Sequence, residues 1–433
     1  MFCDQCEQTA HGTGCVTSPG VCGKTEEVQA LQELLLYGAK GMAAYAHHAR
    51  KLGRHDEGVA AFLERALFAT MTNVNFDPES LFALCLECGR HNYSVMEMLD
   101  AAHVAAFGAP APTEVREGTE AGPGVLVTGH DLYDLNVLLH QIEGTDIKVY
   151  THGEMLPAHM YPALEGHPNL AGHFGGAWQE QKWEFASFGG PIVATTNCVL
   201  IPRESYAERL FTTGVTAVPG ATLLPKDDYS QVIDKARECD PLPEVAAGRS
   251  TIGFHHSVLA GKLDALIDAV KQGQVSKFFL IGGCDGAERG RNYFSDFAQS
   301  TPKDTFILTL GCGKYRLRGY DYGTLLGLPR LLDMGQCNDA YGALRVASAL
   351  ARAFECSVND LPLELVVSWF EQKAVAVLLT LLSLGVKGIQ LGPKPPGFLT
   401  PAMRTTLEQR YGLRFTRCNG QGHLDVVQPQ SLS

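Results

Sequence analysis

The chain has 433 residues, 45% of them hydrophobic and 19% charged, with a formal net charge of −12. This is the make-up of a globular protein with room for two to four domains, neither disordered nor membrane-embedded. The acidic balance argues against nucleic acid as the main partner, because phosphate binding wants a basic surface.

The chain opens MFCDQCEQTAHGTGCVTSPGVCGK, without the basic and then apolar run of a secretory leader. The longest near-apolar stretch, Ala374–Val386, is too short to span a bilayer and reads as a buried helix. A cytoplasmic protein with no membrane partner is expected. Thirteen cysteines are many for such a reducing compartment. There, clustered thiols point to metal binding or redox chemistry rather than to structural disulfides. Cys3, Cys6, Cys15 and Cys22 have the spacing Cys-x2-Cys-x8-Cys-x6-Cys. It suits a four-thiolate site and leaves zinc and iron–sulfur equally open.

From Glu26 to about Phe107, apolar residues recur at three- and four-residue spacing, so this region is helical, with a break at Asp77-Pro78. The Pro-, Gly- and charge-rich stretch Gly108–Gly124 marks a boundary. Beyond it, short apolar runs alternate with helical segments. GVLVTG, IKVYTHG, PIVATTN and GVTAVPG read as strands, and LYDLNVLLHQIEG and DYSQVIDKARE as helices. A second boundary falls at Pro241–Ser250. The pattern then restarts with TIGF, a helix to Gln272, KFFLIGG, DTFILTLG and VKGIQLG. The fold class is therefore α/β: an N-terminal helical domain (1–122) followed by two Rossmann-like parallel-sheet domains (123–250 and 251–433).

Reactive residues follow the strands. GVLVTG runs into His130, IKVYTHG into Glu154, PIVATTN into Cys198, KFFLIGG into Cys284 and DTFILTLG into Cys312; Cys337 follows the weaker strand candidate LLDMGQ. Ligands of open α/β sheets bind beyond the carboxyl ends of the strands, so these side chains are expected to converge on one interdomain site. Any one buried cysteine is more often an inert core residue. Four in this setting, with imidazole and carboxylate beside them, exceed what a tetrahedral ion takes and suit a multi-iron assembly with soft and hard ligands. Cys85 and Cys88 lie within helical pattern and read as packing. Cys239, Cys356 and Cys418 read as incidental, and His47-His48 and His255-His256 are assigned no site. GGCDGAERG lacks the order of a dinucleotide fingerprint, so no bound nicotinamide is expected.

The blocks MFCDQCEQT, TNVNF, GHDLYDL, VYTHGEMLPAH, TNC, GGCDGAERGRNYF, LGCGKYR, GQCNDAY and SWFEQKA occur in order along almost the whole chain. In them the sequence resembles the hybrid-cluster protein (hydroxylamine reductase) family, related in fold to nickel–iron carbon monoxide dehydrogenases. The resemblance implies a [4Fe–4S] cluster, or a [2Fe–2S] one, on Cys3, Cys6, Cys15 and Cys22. It implies a hybrid [4Fe–2O–2S] cluster on His130, Glu154, Cys198, Cys284, Cys312, Cys337 and Glu371, with a persulfide at Cys284. The implied reaction is reduction of hydroxylamine to ammonia and water, with reduction of nitric oxide to nitrous oxide beside it. Electrons would come from a redox donor protein, and a homodimer is compatible with the pattern.

Catalytic roles then fall to Cys284, to Glu154 or Glu371 as a carboxylate that shifts its coordination, and to Lys373 in proton delivery. Lys373 reads also as a solvated surface lysine, since residues two apart on a regular helix face different ways. His152 and His159, flanking Glu154, read either as proton shuttles or as hydrogen-bonded core histidines. The helical domain is about one bundle shorter than the family's usual form. Two other readings stand beside this one. Stoichiometric nickel would favour carbon monoxide dehydrogenase-like chemistry. A colourless, zinc-loaded protein would favour a non-catalytic metal-binding sensor.

Overall fold

The computed structural model describes residues 1–416 apart from 289, 370, 393 and 394, so Cys418 lies outside the described residues. Three helices follow the N-terminal loop: α1 (Glu26–Lys51), α2 (Glu57–Ala69) and α3 (Pro78–Phe107). Their starts are written in the sequence. Thr25, Asp56 and Asp77 each cap a helix by accepting a backbone N–H of the first turn, and Pro78 sits where its missing N–H costs nothing. In α1, Glu26 and Glu27 open the helix and Arg50 and Lys51 close it, both complementing its dipole.

The first sheet has eight strands: β1 (Thr113–Thr119), β2 (Gly124–Thr128), β3 (Lys148–His152), β4 (Leu170–His173), β5 (Ile192–Ala194), β6 (Leu210–Thr212), β7 (Thr222–Leu223) and β8 (Val245–Ile252). Their order is β7-β6-β5-β2-β3-β4-β1-β8. All pairs are parallel except β1 with β8. Central β2 is buried at all five positions, the signature of a strand covered on both faces.

The second sheet contains β9 (Lys277–Gly283), β10 (Thr305–Thr309), β13 (Leu331–Asp333), β14 (Leu363–Ser368), β15 (Gln390–Gly392) and β16 (Arg414–Phe415), parallel throughout in the order β13-β10-β9-β14-β15-β16. A small ribbon, β11 (Thr324–Leu325) with β12 (Leu328–Pro329), stands apart.

Three expectations need correction. The stretches read as boundaries carry β1 and β8, which pair antiparallel from Thr113↔Ile252 to Thr119↔Val245 and close one edge of the first sheet. Both are polar or small-residue strands and so imitate linkers; β8 is the edge, where such chemistry avoids pairing with other chains, and β1 lies between it and β4. GVTAVPG is not a strand. Gly214 and Gly220 take positive φ there, and the strand is the preceding Leu210–Thr212. The single helix expected up to Gln272 is two, His256–Ala260 and Leu263–Lys271, parted at Gly261.

The buried run at 374–386 forms the helix Gln372–Ser383, which packs between α1 and α3. Asn92 donates to Thr380 Oγ1 at 2.9 Å, and Thr380 donates to the Gly89 carbonyl at 3.0 Å. One continuous apolar core therefore runs from Leu31, Met42 and Met96 through Val375 and Leu379 to Phe278 and Leu308 of the second sheet.

Candidate metal centre

Each strand-end residue singled out above leaves the carboxyl end of a strand, and so does Glu371, which only the resemblance implied. His130 follows β2, Glu154 follows β3 on the short 3-10 helix Gly153–Met160, and Cys198 follows β5. Cys284 leaves β9, Cys312 and Cys337 open 3-10 turns after β10 and β13, and Glu371 follows β14. The two sheets turn these edges toward each other. Gln336 stitches them together, donating from Nε2 to the carbonyls of His130 (3.1 Å) and Glu154 (2.7 Å). Cys337 N donates to Glu154 Oε2 at 3.0 Å, and Tyr315 donates to the Gly153 carbonyl at 2.7 Å.

His130, Glu154 and Cys337 present ligand atoms within 4.8 Å of one another, close enough for one ion. Cys198, Cys284, Cys312 and Glu371 stand outside that triplet but are near enough to act electrostatically on it and on one another. Burial dominates their protonation. It pushes the thiols of Cys198 and Cys337 up to about 12, and those of Cys284 and Cys312 well above the ordinary range. It raises the Glu154 carboxyl and holds His130 well below its usual value, with the Lys373 charge adding to the latter. Glu154 Oε1 is buried without a hydrogen-bond partner. An orphaned carboxylate oxygen among buried thiols is costly unless a cation takes it. This donor set therefore fits a group of several metal ions better than one.

Lys373 is buried, with Nζ 3.1 Å from His130 Nε2 and 2.8 Å from Asn197 Oδ1. Burial alone would lower its pKa, but the Glu371 carboxylate and the nearby thiols outweigh that and raise it, so the ammonium keeps its charge. Lys373 and Glu371 share the site although two residues apart, because Glu371 is the extended N-cap of its helix (φ −138°, ψ −173°).

At the N-terminus, Cys3 and Cys15 sit side by side, exchanging backbone hydrogen bonds of 3.0 and 2.7 Å. Lys24 Nζ lies 3.6 Å from Cys3 Sγ, and amides of Val21 and Ala10 lower the pKa of Cys15. Cys6 and Cys22 lie half-buried in the adjoining turns. Among the described residues, no three of these thiols come within 4.8 Å of one another, the spacing a single zinc would ask for. All described cysteines are free.

Other candidates resolve as packing. Cys85 and Cys88 are fully buried on α3, and burial raises both thiols. His152 is bonded to Thr128 and Glu184, and His159 to Thr151 and Glu165, so both are satisfied core histidines. His255 and His256, assigned no site above, both reach Asp100, at 2.7 and 3.1 Å, and the three present ligand atoms within 4.8 Å of one another. His255 is an extended N-cap and His256 begins the helix, which turns the two rings the same way and pins α3 to the second sheet domain. Three residues that sequence reasoning passed over line the site. Tyr45 of α1 donates to Cys337 Sγ at 3.1 Å, Gln336 joins the two edges, and Asn197 touches Lys373, Glu371 and Cys198. Asn197 and Gln336 had a signal in sequence, their places beside Cys198 in the block TNC and beside Cys337 in the block GQCNDAY; Tyr45 had none.

Two spaces reach different members of this set. An apolar cavity of about 100 Å³ beneath Leu310, Ala343 and Leu378 ends at Cys284 and Cys337. A more open cleft of about 740 Å³, with Lys40, His47, Lys51 and Asp131 on its walls, ends at Cys198, Glu371 and Lys373.

The fold, two facing parallel sheets buttressed by a helical set, has solved counterparts. Carbon monoxide dehydrogenase IV from Carboxydothermus hydrogenoformans matches with a TM-score of 0.75 at 16% identity, over 96% of this chain and 89% of its own. A nickel-free carbon monoxide dehydrogenase from Thermococcus sp. AM4 matches with a TM-score of 0.73 at 17% identity, over 96% and 87%. At such identities the likeness concerns fold alone. The chain belongs to the prismane/CO dehydrogenase family, whose model matches residues 1–83 and 77–417.

Among curated relatives, the hydroxylamine reductase of Moorella thermoacetica is 58% identical over 414 residues, 96% of this chain and 97% of its own length. That of Methanothermobacter thermautotrophicus is 47% identical over 95% of this chain and 96% of its own. That of Rhodospirillum rubrum is 53% identical over 89% of this chain but only 70% of its own length. The chain thus spans nearly the whole length of some relatives and about 70% of another. No described helix is long and apolar enough to cross a membrane.

Proposed function

We propose that the protein is an iron–sulfur oxidoreductase that reduces hydroxylamine to ammonia and water, with nitric oxide as a second substrate. Curated relatives up to 58% identical carry the name hydroxylamine reductase and support this reading. The observation that carries it is the gathering of His130, Glu154, Cys337 and their neighbours at the facing carboxyl edges of two sheets, with Glu154 Oε1 left unpaired. His130, Glu154, Cys198, Cys284, Cys312, Cys337 and Glu371 would hold a hybrid cluster, and Cys3, Cys6, Cys15 and Cys22 a second iron–sulfur cluster that passes electrons from a donor protein.

When bound, an iron–sulfur–oxygen cluster supplies electrons and a Lewis-acid position for the nitrogen–oxygen bond. The chain supplies the rest. Thiols held neutral by burial must lose their protons on loading, so assembly is coupled to pH. Lys373 keeps a proton on Nζ at the inner end of the polar cleft, where one of the protons of the two-electron, two-proton reduction is needed. The cleft suits a polar substrate such as hydroxylamine, and the apolar cavity suits an uncharged diatomic such as nitric oxide.

Anaerobic purification with iron and sulfide quantitation, electron paramagnetic resonance and hydroxylamine turnover tests the proposal. Cys284→Ala should abolish turnover and leave the N-terminal cluster signal in place. Full turnover in that variant, or a colourless zinc-loaded protein, would overturn it.

A further inference from the structure

We propose that Asn197 is a positioning residue whose carboxamide is inserted between Lys373 and Glu371 and holds this would-be ion pair apart. The distances describe an inserted spacer. Asn197 Oδ1 accepts from Lys373 Nζ at 2.8 Å, while Nδ2 donates to Glu371 Oε2 at 3.3 Å and lies 3.6 Å from Cys198 Sγ. Only this orientation of the amide is compatible with its neighbours. The flipped one would set its oxygen against a carboxylate and a thiol, and its NH2 against an ammonium.

Lys373 and Glu371 carry opposite charges two residues apart, and Glu371 is the foremost opposite charge acting on Lys373. Even so, no ion pair within 4.0 Å joins them among the described residues. Lys373 Nζ is held instead over the His130 ring, 3.3 Å from Nδ1 and 3.1 Å from Nε2. Glu371 Oε2 in turn receives the Lys373 backbone N–H at 3.1 Å and the Asn197 amide. Cys198 adopts the left-handed backbone (φ +68°), rare for a residue with a side chain, and at this bend the adjacent Asn197 comes to share a face with the thiol.

The consequence for function rests on the reading of the preceding subsection. An ion-paired Glu371 is a poorer metal ligand, and an ion-paired Lys373 no longer points its amine at the cleft. Asn197, exposed on that cleft, keeps both groups available without adding a charge of its own. Aspartate could not do this, because its second carboxylate oxygen would face Glu371; alanine would leave the gap for the pair to close.

The test is the structure of the anaerobically purified Asn197→Ala holoenzyme, with its kinetics. Lys373 Nζ is expected within ion-pair distance of Glu371 and off the His130 ring. Turnover is expected to fall about 100-fold in kcat with little change in KM, as for a misplaced reacting group. The electron paramagnetic resonance of the buried centre should change while the N-terminal signal stays. An unaltered Lys373–Glu371 separation overturns the inference whatever the substrate proves to be, so its failure is distinct from failure of the hydroxylamine reading. Asn197→Asp, of the same shape, serves if the alanine variant does not fold. It should lose iron from the buried centre alone, and an unchanged iron content and spectrum would equally overturn the inference.

Discussion

Gly41 of α1 lies against the segment that carries Glu371 and Lys373. A methyl group added there would sit 2.4 Å from the Gln372 carbonyl oxygen, 2.7 Å from its carbon and 2.8 Å from Lys373 Cα. These are backbone atoms and cannot swing aside. Ordinary carbon contacts lie near 3.5–4.0 Å, so Gly41→Ala must part the two helices by roughly 1 Å. Overpacking of this kind costs about 1–3 kcal/mol, and replacing a helical glycine by alanine returns about 1 kcal/mol. The expected net loss of stability is therefore small, about 0–2 kcal/mol. The functional loss should be larger, about 100-fold in turnover, because a displacement of about 1 Å moves the Lys373 amine off its partners.

Gly38, one turn earlier, is the control. Its added methyl would meet Leu379 Cδ1 at 2.5 Å and Cys88 Sγ at 3.0 Å, side-chain tips that can give way. Thermal melting and steady-state hydroxylamine reduction on iron-replete protein separate the two effects. If Gly41→Ala turned over like Gly38→Ala and the wild type, the reasoning that places α1 in command of this segment would be refuted.

Lys314 is fully buried and donates to Asp333 Oδ1 and the Gly335 carbonyl, both at 2.8 Å, while Asp333 Oδ2 has no partner. Lys314→Met should cost about 3–5 kcal/mol by stranding that carboxylate, visible as a lower melting temperature; an unchanged melt would count against it. Tyr45→Phe removes the hydrogen bond to Cys337 Sγ and should cost about 1 kcal/mol while shifting the spectrum of the buried centre; an identical spectrum would exclude a role for that bond. Burial lowers the pKa of His48 and His103 from 6.5 to about 3, so both are neutral in the fold and the unfolded chain binds more protons below 6.5. Stability should therefore fall as pH drops from about 6.5 toward 3, by up to about 1.4 kcal/mol per pH unit for each group. Denaturant midpoints across that window check the slope, which His103→Leu should flatten.

Much of the site was legible because its donors follow apolar strands immediately in sequence, so that His130, Glu154, Cys198, Cys284 and Cys312 could be placed at strand ends before any coordinates. What escaped were the relations that sequence adjacency hides or reverses. Lys373 and Glu371 would face apart on a regular helix, yet Glu371 is a cap and not a helical residue. The same local switch brings His255 and His256 onto one carboxylate. Tyr45 meets Cys337 across 292 positions of chain, a contact that no local pattern announces. β1 and the edge strand β8 were hidden by polar and small residues that imitate a linker.

The helix Gln372–Ser383 has a consequence for how the protein comes into being. It packs on both α1 and α3, which are finished by residue 107. A nascent chain would thus carry an unfilled greasy trough through synthesis of both sheets, and only the late arrival of this helix would seal it. Because that helix also brings Glu371 and Lys373, the act that completes the hydrophobic interior would also bring these candidate groups to the others. Assembly of the candidate centre would then wait for the synthesis of residues 371–383.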